Sequence, residues 1–126
     1  MTPFTRLFVV LGGLNAALSV VLGAFGAHAL KTKLTGELMS TYQTGVQYHF
    51  FHSIGLLVMA FAASHLDDFT LVRIAGWTML TGIALFSGSL YILSLTGIKW
   101  LGAITPFGGM AFIFAWLMLA GTVIRK

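Results

Sequence analysis

The chain has 126 residues, of which 58% are hydrophobic and only 8% are charged. Because soluble domains carry about 25% charged residues, this composition indicates a membrane protein and excludes an ordinary soluble domain. The formal net charge of +4 comes from basic residues spread among predicted helix ends, not from one basic patch. That pattern excludes a nucleic-acid partner and favours contact with anionic lipid headgroups, and the absence of cysteine excludes disulfides and iron–sulfur ligation through cysteine.

Four long apolar runs predict membrane-spanning helices. They cover residues 7–30, 46–64, 74–95 and 107–124, and a helix crossing the hydrocarbon needs about 20 predominantly apolar residues. One such unit uses the whole length, so we expect a single domain over residues 1–126. The predicted fold class is an all-α membrane protein, an antiparallel four-helix transmembrane bundle.

Small residues recur along two of the predicted spans. Gly12, Ala16, Gly23 and Ala27 form a stripe on the first helix, while Gly108 and Gly109 follow the start of the fourth. Within lipid, helices associate by close packing, which small residues permit. We interpret these residues as packing positions. For the first helix, packing inside the bundle and a seam between two copies of the chain both remain open.

The segment between the first two spans, residues 31–44, is amphipathic. Thr35 fits a helix N-cap, and Glu37 in the following turn favours the helix dipole. Apolar residues at helical spacing predict a segment lying at the membrane surface. The same pattern also fits the exposed first turns of one long second helix.

Polar residues within the spans are concentrated in one half of the bilayer. An antiparallel arrangement brings ten of them toward the same face: His28, Gln47, His49, His52, Ser53, Ser87, Ser89, Tyr91, Ser94 and Thr105. Polar side chains in lipid are costly, so grouped ones face one another, a cavity or a ligand. We therefore expect a cavity or ligand in this half, and close packing in the other half, where Asn15 is almost the only polar residue.

Three histidines in this half raise the possibility of a metal or haem site. His28, His49 and His52 are the candidate ligands, since three histidines can hold zinc and two can hold haem iron. Their spacing matches no metal motif, and no Asp, Glu or Cys lies within the spans. We therefore predict no cofactor, and interpret the neutral side chains as hydrogen-bonded links between helices.

The carboxylates are too few and too distant for catalysis. Glu37, Asp67 and Asp68 are the only ones, and all lie outside the predicted spans. A serine nucleophile activated by His52 would lack a third group to orient the base. The sequence therefore predicts a protein that is not an enzyme.

Four short motifs carry a resemblance to a known family. They are Gly23-Ala-Phe-Gly-Ala-His28, Thr44-Gly-Val-Gln-Tyr-His-Phe-Phe-His52, Phe86-Ser-Gly-Ser-Leu-Tyr91, and Thr105-Pro-Phe-Gly-Gly109 leading to Trp116. In this order they resemble the YgdD/YwdK-type small bacterial inner-membrane proteins, a domain of unknown function (DUF423, UPF0382-like). The resemblance implies a four-helix inner-membrane protein without an assigned activity.

The resemblance also bears on individual residues. It implies histidine at positions 28 and 52 and supports Gln47 and Tyr48, whereas glutamine is common in the family at the position of His49. The implied polar network therefore consists of His28, Tyr48, His52 and Tyr91. With Gln47 and Ser87 added, these residues form the candidate ligand-binding cluster.

Together these observations predict a non-enzymatic membrane protein that binds lipid or a partner membrane protein, with a homo-oligomer possible, and supports envelope integrity. The alternatives are an oligomeric small channel or transporter and a haem- or metal-binding redox subunit.

We expect the bacterial inner membrane as the location. The positive-inside rule favours cytoplasmic termini by four basic residues against three: Arg6, Arg73, Arg125 and Lys126 on one side, and Lys31, Lys33 and Lys99 on the other.

Overall fold

The structure is a computed structural model in which residues 1–124 are described; Arg125 and Lys126, which enter the charge balance above, lie outside the described residues. Its helices are α1 (Pro3–His28), α2 (Gly36–Ser64), α3 (Thr70–Thr96) and α4 (Thr105–Ile124). Helix α3 consists of an α-helical part Thr70–Gly82, a π-helical turn Ile83–Ser87 and a second α-helical part Gly88–Thr96. A 3-10 turn, Lys99–Ala103, precedes α4.

Within the described residues, four helical stretches are long and apolar enough to cross a membrane. This confirms the predicted fold class, an all-α membrane bundle. Each helix begins before its predicted apolar run, because the first turn includes polar or capping residues outside that run. At the start of α1, for example, Thr2 accepts a hydrogen bond from the Thr5 backbone amide at 3.1 Å, and Pro3 occupies the first helical position.

The amphipathic segment before the second span is continuous with α2. Residues 31–34 form a turn, the Thr35 hydroxyl accepts a hydrogen bond from the Leu38 amide at 3.3 Å, and the helix then runs without a break to Ser64. Of the two interpretations of residues 31–44, the structure therefore has the long second helix. At 1.5 Å per residue α2 is about 43 Å long, which exceeds the hydrocarbon thickness and carries its first turns beyond it.

Helix α1 packs along α2 through its small residues. A side-chain carbon added at Gly12 would lie 2.6 Å from Leu57, and one added at Gly23 would lie 3.2 Å from Val46. At Gly26 it would collide with the ring of Tyr42, whose hydroxyl donates a 2.5 Å hydrogen bond to the Leu22 carbonyl. The structure thus uses these glycines for contact within one chain. Ala16 is half-buried beside them, and Ala27 is exposed.

The apolar core occupies the half of the bundle near the start of α1 and the end of α2. Its largest members are Phe8, Leu56, Met59, Met79 and Phe112, each at most 4% exposed. Core residues from all four helices meet here, so this end is closely packed inside the bundle. It corresponds to the half for which the sequence predicts close packing.

The π-helical turn of α3 packs against the start of α4. A side-chain carbon at Gly108 would lie 2.7 Å from the Cα of Phe86, which is a backbone overlap, whereas one at Gly109 would lie 3.8 Å from the Phe86 ring. The Ser87 hydroxyl donates a 2.8 Å hydrogen bond to the Gly45 carbonyl of α2. Gly108 therefore sets the approach of α4 to α3, and Ser87 ties the same turn to α2.

Candidate functional site

The centre of the polar cluster lies halfway along α1 and α2. Asn15 follows Pro3 by 12 residues and precedes His28 by 13. His49 is equally central in α2, 13 residues after Gly36 and 15 before Ser64, and the two side chains form a hydrogen bond of 2.9 Å. The prediction that Asn15 lies apart from the polar half is therefore wrong. The prediction fails because α1 begins at its N-cap, before the predicted apolar run, and this shifts the midpoint of the helix to Asn15.

Asn15, His49 and Tyr91 form a hydrogen-bonded chain across three helices, which we call the polar triad. The Asn15 amide nitrogen donates to the Leu11 carbonyl at 2.8 Å, so its oxygen faces His49 and accepts from Nε2–H. Nδ1 of the neutral imidazole then accepts from the Tyr91 hydroxyl at 2.8 Å. Because the ring is 3% exposed and both nitrogens have partners, the triad fixes the tautomer of His49 and links α1, α2 and α3.

His52 makes a second, separate link between α2 and α4. Its Nδ1–H donates to the Tyr48 carbonyl at 2.7 Å, and its Nε2 accepts from the indole N–H of Trp116 at 3.1 Å. The imidazole also stacks on Phe112, with ring centroids 3.5 Å apart. The two buried histidines thus hold opposite tautomers: the carbonyl of Tyr48 and the indole N–H of Trp116 fix that of His52, and the amide oxygen of Asn15 fixes that of His49.

The structure distributes the remaining candidate residues differently from the implied network. Tyr91 bonds to His49, and Tyr48 contributes its carbonyl to His52 while its ring packs against Phe86 at 4.7 Å. Ser87 is buried beside the triad, whereas His28 and Gln47 are exposed. The four residues His28, Tyr48, His52 and Tyr91 therefore do not form one network: Tyr91 belongs to the triad, and His28 ends α1 at the surface.

The structure also bears on the three candidate metal ligands, His28, His49 and His52. Among the residues that the structure describes, no three His, Asp or Glu side chains come together in a way that could hold a metal ion. Both ring nitrogens of His49 and of His52 engage protein groups. A metal or haem iron at either residue would have to displace one of these hydrogen bonds.

A cleft between α1 and α3 exposes the polar triad to the side of the bundle. The two helices touch near their starts, where Phe8 packs edge-on against Trp77 at 5.1 Å, and beyond this contact they flank a space of about 260 Å³. We call it the α1–α3 cleft. Its lining is Asn15 and Leu18 from α1, His49 from α2, and Leu80, Ile83, Ala84, Ser87, Gly88 and Tyr91 from α3.

Other grooves lie on the outer surface of the described bundle. One of about 210 Å³ lies between α1 and α2, lined by Gly23, Ala27 and Gln47 among others. Two more lie in the apolar half, beside Trp77 and beside Trp116. Grooves therefore occur in both halves, whereas the sequence predicts a cavity in the polar half and close packing in the other. Of these four grooves along the described residues, the α1–α3 cleft is lined by all three residues of the triad.

Sequence reasoning missed the roles of two residues, Asn15 in the triad and Trp116 in the separate link with His52. Asn15 was assigned to the opposite half, and Trp116 was noted only as part of a motif. Counting from the N-cap at Thr2 would have placed Asn15 midway along α1. No comparable signal pairs Trp116 with His52, because that contact depends on how α4 crosses α2.

Comparison with known proteins gives a consistent family assignment. The family model described as "Protein of unknown function (DUF423)" matches residues 22–109. The chain is 52% identical to the UPF0382 membrane protein YwdK of Bacillus subtilis over 95% of its own length and 98% of that protein. It is 46% identical to the UPF0382 membrane protein SH2409 of Staphylococcus haemolyticus, over 90% and 92% of the two chains.

No solved protein structure matches the chain. The names of the relatives state a membrane location and give no enzymatic activity. The resemblance inferred from the four motifs is confirmed: the chain belongs to the DUF423 family of small multi-pass membrane proteins, whose function is unknown.

Proposed function

We propose that this protein is a non-enzymatic membrane protein that binds a lipid or a partner helix in the α1–α3 cleft and thereby supports envelope integrity. One observation carries the proposal: a hydrogen-bonded polar triad, with His49 buried at its centre, lines a cleft that opens on the side of the bundle. Polar groups at this depth are costly in lipid. A cleft that leaves them accessible from the side provides a place for a membrane-embedded occupant.

The surrounding chemistry supports binding better than catalysis. Ser53, which follows His52 in the chain, donates its hydroxyl proton to the His49 carbonyl at 2.6 Å and not to an imidazole. Glu37 lies in the first turn of α2, far along the helix from the triad, so it offers no carboxylate to orient a base. A nucleophile–base pair of the usual kind is therefore not assembled around His49.

A channel through one chain has less support. It would need a continuous polar path, and the half of the bundle beyond the triad is filled by Leu56, Met59, Met79 and their neighbours. A lateral site satisfies the same polar residues without such a path. The occupant would enter from the membrane and not from water.

The test is native mass spectrometry of the protein released gently from its own membranes, with Gly88→Leu as the key variant. A side-chain carbon added at Gly88, which lines the cleft, would meet no atom within 4 Å, so we expect a leucine side chain to occupy the cleft. Leucine is also the better helix former by about 0.8–1 kcal/mol. We expect the wild type to carry extra mass or a co-purifying protein, and Gly88→Leu to lose it.

Gly13→Leu is the matched control. Gly13 is also a helical glycine whose added side chain meets open space, but it lies outside the cleft. This variant should retain whatever the wild type binds. Bare wild-type protein, or equal loss of the occupant in both variants, would overturn the proposal.

We further propose the bacterial inner membrane as the location, with both termini in the cytoplasm. The positive-inside rule supports this orientation, because Arg6 and Arg73 lie at the same end of the bundle as the N-terminus. Lys31 and Lys33 lie in the opposite turn, on the proposed outer face.

A further inference from the structure

We infer that the ligand of the α1–α3 cleft is an uncharged, carbonyl-bearing lipid of the quinone class, whose head lies beside the polar triad and whose apolar tail follows α3. The inference rests on the proposed function, because it names the occupant of the same cleft. It follows from three properties of the cleft: its charge, its unused hydrogen-bonding capacity and its depth.

The cleft is polar without being charged. No Asp, Glu, Lys or Arg is among the described residues that line it. With His49 neutral, Nε2–H donates to the Asn15 oxygen and Nδ1 accepts from the Tyr91 hydroxyl, so the triad satisfies its polar atoms without a charge. An ionic phospholipid headgroup would find no counter-charge here and would have to be desolvated, which is costly. A neutral head is therefore favoured.

The triad keeps one donor and one acceptor for a ligand. The Asn15 amide has two N–H groups, of which one donates to the Leu11 carbonyl; the second has no partner among the described residues. The Tyr91 oxygen donates its proton to His49 and retains capacity to accept. A carbonyl oxygen fits the free N–H of Asn15, and a quinol hydroxyl fits the oxygen of Tyr91, so both redox forms of a quinone find a partner.

The depth of the cleft separates a quinone from an ordinary ester lipid. From Leu80 to Tyr91 the cleft follows α3 for about 16 Å, about half the hydrocarbon thickness of 30 Å. Its polar part includes Asn15, about 18 Å along α1 from Pro3 and about 20 Å from His28. The ester carbonyls of phospholipids lie near the headgroups and not at the midplane, whereas a neutral quinone head is soluble at that depth.

The experiment compares two probes that differ only in the head. Wild-type protein in nanodiscs of phosphatidylcholine is titrated with decylubiquinone and with decylbenzene, which has the same tail and no oxygen. Native mass spectrometry counts bound probe per chain. We expect decylubiquinone to bind about tenfold more tightly than decylbenzene, the effect of about one net hydrogen bond. Gly88→Leu should abolish binding of both probes, and Gly13→Leu should leave both unchanged.

The outcomes separate this inference from the proposed function. Equal binding of both probes, with loss of both in Gly88→Leu, would overturn the quinone assignment and keep a general apolar site. Phosphatidylcholine retained in the cleft in place of either probe would also overturn the quinone assignment and keep a general apolar site. A dimer that Gly88→Leu dissociates would assign the cleft to a second copy of the chain and overturn the inference. Absence of any occupant from the native membrane and from the nanodiscs would overturn both proposals.

Discussion

The Nδ1 atom of His49 lies 2.8 Å from the Tyr91 hydroxyl, 42 residues away in sequence. With the opposite nitrogen held by Asn15 at 2.9 Å, one imidazole ring joins three helices at the middle of the bundle. Helix association in lipid has no hydrophobic drive, so close packing and such hydrogen bonds determine which helices pair. This ring is therefore both the organising contact of the bundle and the floor of its cleft.

Replacing His49 by glutamine should preserve the triad, and replacing it by leucine should not. A glutamine amide offers one N–H donor for the Asn15 oxygen and one oxygen to accept from Tyr91. Leucine leaves both partners unsatisfied, which we expect to cost about 1–3 kcal/mol for two interhelical hydrogen bonds. Thermal unfolding in detergent, followed by circular dichroism, measures the difference. Equal losses for the two variants would show that ring volume, and not hydrogen bonding, stabilises this position.

Trp116→Phe should weaken the link between α2 and α4. The substitution removes the indole N–H that donates to His52 at 3.1 Å and leaves a buried nitrogen without a donor, at an expected cost of about 1 kcal/mol. Trp100→Phe is the control, since Trp100 lies in the 3-10 turn before α4 and is 67% exposed. We expect its unfolding temperature to change less than that of Trp116→Phe. The reverse order would contradict the assigned role of Trp116.

Gly108→Ala and Gly109→Ala form a matched pair at the crossing of α3 and α4. The new methyl group at position 108 would lie 2.7 Å from the Phe86 Cα, and backbone atoms cannot move aside cheaply. We expect a loss of about 1–3 kcal/mol there. At position 109 the nearest atom is 3.8 Å away, so the higher helix propensity of alanine should leave stability unchanged or raised. Similar unfolding temperatures for the two variants would contradict this account of the crossing.

The proposed orientation is testable because the natural chain has no cysteine. Lys33→Cys and Asp67→Cys place single thiols in the exposed turns at opposite ends of α2. With cytoplasmic termini, a membrane-impermeant maleimide added to intact spheroplasts should label Lys33→Cys and spare Asp67→Cys until the membrane is permeabilised. The opposite labelling pattern would place both termini outside.

The sequence by itself determined the membrane class, the number of spans, the family and the polar character of one region, because hydropathy and short motifs are local properties. The N-cap at Thr35 likewise depends on a few adjacent residues. These features need no knowledge of which helices touch.

Only the tertiary structure decided which polar groups meet. The sequence grouped Tyr91 with His52 and set Asn15 apart, whereas the structure joins Asn15, His49 and Tyr91 and pairs His52 with Trp116. The physical reason is that partner choice depends on helix rotation, on a shift of a few residues at each helix start and on the π-helical turn that lets Gly108 approach Phe86. Each of these is set by packing between distant segments, which no local pattern of residues specifies.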